Sequence, residues 1–164
     1  MVGRLKHLAV SVMLIVPVSL ALGVAVSPAA GPKYPLVTLE IPPVINDIGA
    51  PTAILSSLQE TVIEEFRKKN LFAGVLPATE VLDGVLTIQG TALSWDASEA
   101  MEASGGGLLT VRLAIFQKIV PCPFNRAVIK GVVSPEMLKT GAVQPDHALV
   151  KGALAFLTSV TGDE

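Results

Sequence analysis

The stretch KKNLFAGVLPATEVLDGVLTIQG, from Lys68 to Gly90, passes from the end of a predicted helix into two strands and indicates an α/β scaffold. Asn70 is suited to ending the helix, because asparagine enters the left-handed region more readily than most residues. Phe72 and Val75 supply a short apolar strand, and Asp83 with the glycine after it supplies turn chemistry before a longer strand. We therefore interpret this stretch as a structural joint, in which Asp83 has no catalytic partner.

The helix that precedes the joint is predicted over residues 51–70. Its apolar side chains recur at the spacing that places them on one face, as Ile54, Leu58, Val62 and Phe66. Glu64 and Glu65 precede Lys68 and Lys69 by four residues, so two favourable ion pairs are expected on the solvent-facing side. A helix with this pattern packs one stripe against a sheet and leaves the charged residues in water.

Alternating or short apolar runs predict five strands and a second helix. The strands are expected at residues 36–41, 72–76, 85–95, 108–119 and 127–133, with a stiff Pro-Cys-Pro turn before the last one. A final helix carries the stripe Leu149, Ala153, Phe156, Leu157 and Val160. The order β-α-β-β-β-β-α predicts an α+β two-layer sandwich, in which a mostly antiparallel sheet of four to five strands carries two helices on one face. Gly90 and Gly131 fall on inward positions, where either a closely packed helix or a β-bulge would explain them.

The first thirty residues have the organisation of a secretory signal peptide. Arg4 and Lys6 precede the uncharged apolar run Leu8–Val26, and small residues follow it. The run is also long enough to span a bilayer, so a retained N-terminal anchor is the alternative, although Pro17 would kink a permanent helix. We predict a signal peptide or retained anchor over residues 1–30, one α+β domain over 31–164, and export to the periplasm or envelope of a bacterium.

The charge balance narrows the choice of partners. Arg4 and Lys6 lie in the leader, so 10 of the 12 basic side chains remain against 14 acidic ones, a net charge of about −4. Nucleic acids and anionic membranes attract basic surfaces, so neither is expected as the main partner. Contact with a membrane is expected only through the N-terminal segment, if that segment is not cleaved.

The residues that usually carry catalysis or bind metals are scarce. His147 is the only histidine after the leader, and a surface role near the start of the last helix is expected for it. The run Gly105–Gly107 opens a strand, whereas phosphate-binding loops precede the N-terminus of a helix. The acidic loop around Glu99 lacks the spacing of a calcium site. We therefore expect no catalytic residue, no metal, no cofactor and no enzymatic activity.

Two features remain as candidate sites for contact with other proteins. Trp95 is predicted on the outward face of its strand, beside Glu99 and Met101 of a long loop, where it either contacts a partner or covers the strand end. Cys122 is the only cysteine in the chain, so no intramolecular disulfide is possible in an oxidising compartment. It is expected either as a free thiol, buried or half-buried, or as half of an intermolecular disulfide.

Three segments carry a resemblance to known proteins: EEFRKKNLFAGV, VLDGVLTIQGTAL and GGGLLTVRLAIF. They resemble small bacterial envelope proteins of uncharacterised function, in which a helix leads to a phenylalanine-x-x-valine strand and an aspartate then opens a long hairpin. The matching residues here are Phe72, Val75, Asp83, Leu86 and Gly90, and DHALVKGALAFL fits the final helix. The layout is similar to the α/β modules of periplasmic lipoproteins that accompany transport or assembly machinery, including the N-terminal domain of the Tol-system propeller protein.

This resemblance implies a non-enzymatic accessory or assembly protein without a cofactor. Its partners would be an envelope protein complex or further copies of itself. A lipoprotein carries a cysteine directly after the apolar run, whereas Cys122 lies far downstream, so no lipid anchor is expected. The residues also leave a second hypothesis, in which the apolar inner faces hold an apolar ligand such as a lipid between the helices and the sheet.

Overall fold

The computed structural model describes residues 30–97 and 105–162. Eight elements follow one another along this part of the chain, five strands and three helices. In chain order they are β1 (Tyr34–Glu40), α1 (Thr52–Lys68), β2 (Phe72–Leu76), β3 (Val85–Asp96), β4 (Gly107–Gln117), β5 (Val120–Val133), α2 (Pro135–Thr140) and α3 (Ala148–Thr161). The short helix α2 lies in a segment for which the sequence predicts only a connection.

The strands form one mixed sheet in the order β2-β1-β3-β4-β5. β1 pairs in parallel with both β2 and β3, because α1 carries the chain back across the sheet before β2 begins. β3, β4 and β5 are long antiparallel neighbours. Buried side chains of α1 and α3 join those of one sheet face in a single core, and no helix of the described residues packs on the other face. The predicted α+β class, with its helices on one face of a five-stranded sheet, is confirmed.

Helix α1 ends as the sequence predicts. Its buried side chains include Ile54, Leu58, Val62 and Phe66, and Asn70 enters the left-handed region with φ = 49° directly after the last turn. The ion pairing differs in register from the prediction. The Lys68 ammonium contacts the Glu65 carboxylate one turn before it, at 2.5 Å, and this hydrogen bond raises the pKa of Lys68.

The turn between β4 and β5 lies earlier than predicted. Lys118 and Ile119 form the turn, and Gln117 pairs with Val120, so the Pro-Cys-Pro run belongs to strand β5. The run interrupts the regular pairing of β5 with β4. Gln117 pairs with Val120 and Ile115 pairs with Asn125, and residues 121–124 lie between these two pairs. The prediction of a turn was wrong because β5 is an edge strand, where a proline without an N–H group can face solvent.

A bulge in β3 reverses the predicted direction of Trp95. The ladder with β4 is shifted by one residue between Ala92 and Ser94, so Trp95 pairs with Leu109. Leu109 is fully buried, and cross-strand partners project to the same face. Trp95 is half-buried against the core beneath the helices, and the prediction that it faces outward is therefore wrong.

Helix α3 packs directly on β5 at Gly131. A Cβ atom at this position would lie 2.7 Å from Cγ of Leu149 and 2.7 Å from Cε1 of His147. The close-approach explanation is confirmed for Gly131. At Gly90 the covering residue is Val44, from the segment after β1, whose Cγ2 would lie 3.1 Å from an added Cβ.

The helices in the described ranges, 30–97 and 105–162, are too short or too polar to form a membrane span. The predicted signal peptide or anchor over residues 1–30 lies almost entirely outside the described residues.

Candidate functional site

Within residues 30–97 and 105–162, no helix packs on one face of the sheet. In β4 the buried residues Leu109, Val111, Leu113 and Ile115 point toward the helices, so the residues between them point the opposite way. Their cross-strand partners in β5 share that direction. We call this surface the open face; its central residues are Leu108, Thr110, Arg112 and Ala114 of β4, and Arg126, Val128, Lys130 and Val132 of β5.

The open face combines positive charge with exposed apolar side chains. Arg112, Arg126 and Lys130 are all exposed, and together they form what we call the basic strip. Val128, which is 56% exposed, lies between Arg126 and Lys130 along β5, and Val132, which is 52% exposed, lies just beyond Lys130. Exposed branched side chains framed by cations are typical of a surface that contacts another macromolecule. The strip runs along β5 at one edge of the sheet.

Two exposed carboxylates lie on the opposite side of the molecule, in a depression that also contains the cation Arg67. Helix α1 lies against β2, the other edge strand, and exposes Glu60 and Glu64. These two carboxylates border a depression of about 280 Å³, which Gln59, Ile63, Arg67 and Pro77 also line. We call this depression the acidic groove. The basic strip and the acidic groove therefore belong to opposite edges of the sheet.

An ion pair between Lys118 and Glu40 lies on the part of the helix-free face near β1 and the β4–β5 turn. The Lys118 ammonium lies 2.7 Å from Oε2 of Glu40, whose side chain is 8% exposed. The Thr87 hydroxyl lies 3.5 Å from the same carboxylate oxygen, and Lys118 also donates a hydrogen bond to the backbone carbonyl of Thr79. The cluster joins β1, β3, the β4–β5 turn and the loop that follows β2. Its residues are mutually satisfied, which indicates a structural role.

The residues predicted for partner contact are only partly described. Trp95 lies with its ring over Gly107, where an added Cβ would come within 2.6 Å of two ring atoms. Met101 and Glu99 lie outside the described residues. The structure thus gives Trp95 a packing role at the end of β3, and contact with a partner stays a prediction.

Cys122 lies in the irregular part of β5, as a free and exposed thiol. The expectation of a buried or half-buried thiol is not met, because residues 121–124 bulge from the edge of the sheet. A role in an intermolecular disulfide stays a prediction.

His147 is fully engaged in structural hydrogen bonds. It is the N-cap of α3, where Nδ1 accepts a hydrogen bond from the Leu149 amide at 3.3 Å. Nε2 lies 2.9 Å from the carbonyl oxygen of Val132, and donation to that carbonyl fits the tautomer that the cap requires. Both ring nitrogens are occupied, so His147 is poorly placed to act as a general base.

The structure also gives little support for catalysis, metal binding or phosphate binding at the other candidate residues. Residues 30–97 and 105–162 contain no group of three or more His, Cys, Asp or Glu side chains that could hold a metal ion. Asp83 is exposed and lies in the turn before β3, where Gly84 adopts φ = 68° as the turn requires. Gly107 opens strand β4, so the glycine run does not precede a helix.

The space between the helices and the sheet is nearly filled. The cavity there has a volume of about 30 Å³ and an apolar lining that includes Leu58, Phe66 and Val111. Pockets for small molecules usually hold about 300–1,000 Å³. A lipid could therefore enter this layer only if α1 or α3 moved away from the sheet.

Comparison with solved structures finds proteins of similar fold in bacteria. PelC from Paraburkholderia phytofirmans, solved as a dodecamer, is 13% identical, covers 79% of this chain and 92% of its own, and has a TM-score of 0.51. XCC0632 from Xanthomonas campestris, of family DUF330, is 12% identical with coverages of 80% and 90% and a TM-score of 0.48. The hypothetical protein CT253 from Chlamydia trachomatis is 9% identical with coverages of 77% and 94% and a TM-score of 0.47.

No family model matches the sequence, and no curated protein matches it either. The likeness to PelC concerns the fold alone at this level of identity. The predicted similarity to bacterial proteins is confirmed at the level of fold by PelC, and the similarity to envelope proteins of uncharacterised function and to the Tol-system propeller protein stays a prediction.

Proposed function

We propose that this protein is an exported, non-enzymatic accessory or assembly factor that acts through protein–protein contacts, first of all with further copies of itself. The observation that carries the proposal is the placement of two complementary surfaces at opposite edges of one sheet. The basic strip contributes Arg112, Arg126 and Lys130, and the acidic groove contributes Glu60 and Glu64.

Opposite charges at opposite edges favour a head-to-tail contact. In such a heterologous interface the basic strip of one copy meets the acidic groove of the next, and rotation between copies closes a ring. Charge complementarity fixes the register of the contact and raises its rate of formation. Val128 and Val132 add exposed apolar area beside the cations, which supplies the hydrophobic part of the contact.

The fold relative with a TM-score of 0.51 adds support, since PelC was solved as a dodecamer.

The edge of β5 supports a contact through side chains rather than through strand addition. Pro121 and Pro123 remove two donors from that edge, and the bulge at residues 121–124 interrupts its geometry.

Export and localisation in the bacterial envelope belong to the proposal on the strength of the N-terminal sequence. Arg4, Lys6 and the apolar run Leu8–Val26 supply that support. Trp95, with Glu99 and Met101 of the neighbouring loop, is kept as a second proposed contact point, toward an envelope partner other than a copy of this chain.

Storage of an apolar ligand between helices and sheet is the less favoured function, because the cavity there holds about 30 Å³. Thermal-shift measurements with phospholipids test it directly. The phospholipid is added without vesicles, so that binding to a bilayer does not contribute. A rise in the melting temperature with any phospholipid under this condition would support the ligand hypothesis over the assembly hypothesis.

Crosslinking in the intact envelope, followed by mass spectrometry, tests the proposed function. We expect crosslinks between Lys130 of one copy and the carboxylates Glu60 or Glu64 of another, obtained with a reagent that joins amines to carboxylates. Cells moved from light to heavy medium carry both isotopic forms in one envelope, and a link between a light and a heavy peptide is intermolecular. If every crosslink at Lys130 is intramolecular or joins an unrelated protein, the proposed self-contact is wrong.

A further inference from the structure

Several exposed apolar side chains gather at one end of the sheet, far from the open face's centre. This end, which we call the tip, consists of residues 36–37, 81–84 and 117–124. Its large apolar side chains are strongly exposed: Leu36 88%, Val81 59%, Leu82 54%, Ile119 57%, Val120 54% and Phe124 57%. A cluster of this kind on one end marks a site of interaction with an apolar environment.

The backbone brings these three segments together. The Thr38 amide donates to the Gly84 carbonyl at 2.8 Å, and the Lys118 amide donates to the Val85 carbonyl at 2.9 Å. A groove of about 470 Å³ results, with Val37, Leu82 and Ile119 among its lining residues. The tip is thus one continuous surface.

The tip carries little outward charge, and Asp83 supplies its exposed charge. Asp83 and Lys118 are the only charged residues in its three segments. The Lys118 ammonium is turned inward to Glu40, and its side chain is 21% exposed. The ion pair therefore fixes the β4–β5 turn while it leaves Ile119 and Val120 pointing into solvent.

The N-terminal segment joins the domain at this same end. The carbonyl of Ala30 accepts a hydrogen bond from the Asn70 side chain at 3.2 Å, at the end of α1 that leads into β2. Tyr34, at the start of β1, donates to the Thr161 carbonyl at 3.0 Å. The uncharged run Leu8–Val26 ends only a few residues before Ala30. Strands β1, β2 and β3 are parallel and begin at this end of the sheet, so a bilayer that holds the run would lie on the same side of the domain as the tip.

We propose that the tip inserts its apolar side chains into the interface of a lipid bilayer, with Leu36, Ile119 and Phe124 as the leading contacts. The contact is independent of the proposed self-association, which uses the open face and α1. Since the chain beyond the leader is mildly acidic, burial of apolar area drives the contact, and charge attraction contributes little. Binding should therefore survive high salt and should not require anionic lipid.

The chain contains two natural probes for this contact, one at each end of the sheet. Cys122 is the only cysteine and lies exposed within the tip, and Trp95 is the only tryptophan and lies at the far end of β3. We would label Cys122 of the full chain with an environment-sensitive nitrobenzofurazan dye and add vesicles of phosphatidylcholine, alone or with phosphatidylglycerol. The expected result is a blue shift and rise of the dye emission on both vesicles, together with no quenching of Trp95 by brominated lipid.

Variants separate the tip from the N-terminal segment. Ile119→Asp and Phe124→Asp should each weaken the vesicle-dependent shift about tenfold or more, because each removes one large apolar contact. Ile48→Asp is the control, because Ile48 is an exposed apolar residue (42%) in the loop between β1 and α1, outside the tip and outside both surfaces of the proposed self-contact, and it should leave the shift unchanged.

Three results would overturn the proposal. The first is vesicle binding without a change at Cys122, which would leave the N-terminal segment as the membrane contact. The second is a dye already shielded without vesicles, which would indicate that the apolar run Leu8–Val26 covers the tip. The third is a shift of the dye emission that depends on protein concentration and not on vesicles, which would indicate that a second copy of the chain covers the tip. None of these outcomes bears on the contact between the basic strip and the acidic groove.

Discussion

Lys118, which is partly exposed, forms an ion pair with the buried carboxylate of Glu40 across the sheet, with 2.7 Å between the ammonium nitrogen and the carboxylate oxygen Oε2. The two residues come from the β4–β5 turn and the end of β1, which are separated by most of the domain sequence. Their contact fixes the turn against the sheet and, through the Thr79 carbonyl, the loop after β2. Removal of one partner leaves the other buried without compensation, which is more destabilising than loss of both.

We expect Lys118→Met to lower the free energy of unfolding by about 2–3 kcal/mol, because the Glu40 carboxylate then stays buried alone. The double variant Glu40→Gln with Lys118→Met should recover part of that loss. Urea denaturation of both single variants and the double variant gives the coupling energy. Strictly additive effects would contradict a direct interaction between the two side chains.

His147→Ala should lower the free energy of unfolding by about 1 kcal/mol, since it removes the N-cap of α3. His147→Asn is the matched variant, because asparagine is a strong N-cap and should restore most of the lost stability. Equal destabilisation by alanine and asparagine would show that the hydrogen bond to Val132, rather than the cap, is the important contribution.

Gly131→Ala should destabilise the protein by about 1–3 kcal/mol, because the new methyl group collides with Leu149 and His147 at 2.7 Å. Gly74→Ala is the control, since an added Cβ at that strand position meets no atom within 4 Å. Thermal unfolding of both variants measures the difference. A Gly131→Ala protein as stable as Gly74→Ala would mean that α3 can move away from β5 at little cost.

Cys122 should react completely with Ellman's reagent in the folded protein, because its thiol is exposed on the bulge of β5. The same preparation, exposed to an oxidant and run on a non-reducing gel, shows whether the thiol also forms an intermolecular disulfide. Cys122→Ser is the control in both assays. A thiol that reacts only after denaturation would contradict the exposed position.

The sequence predicts the elements of this fold better than their register. Periodicity locates α1 and β2 to within a few residues, and Asn70 adopts the left-handed conformation expected of a helix terminator. The two errors arise from a bulge in β3 and from prolines in an edge strand. Each depends on where a strand lies in the sheet, which local pattern does not encode.

The sequence predicts the candidate surfaces less well than it predicts the fold. The alternation of β4 and β5 indicates that Arg112 and Lys130 face away from the core, but a turn at Pro-Cys-Pro gives the wrong cross-strand neighbours. Once the turn is placed at Lys118 and Ile119, Arg112 pairs with Val128 and the basic strip follows. The acidic groove requires knowledge of the sheet order, because only that order puts α1 and β5 on opposite edges.

Head-to-tail association through the basic strip and the acidic groove is tested most directly by light scattering on reciprocal charge-reversal variants. One variant carries Arg112→Glu and Lys130→Glu, and the other carries Glu60→Lys and Glu64→Lys. We expect the unaltered protein to form oligomers at low salt and each variant alone to be monomeric, because each presents like charges across the contact. An equimolar mixture should recover the oligomer, since every strip then meets a groove of opposite charge. A monomeric unaltered protein, or oligomers that persist in both separate variants, would contradict this account.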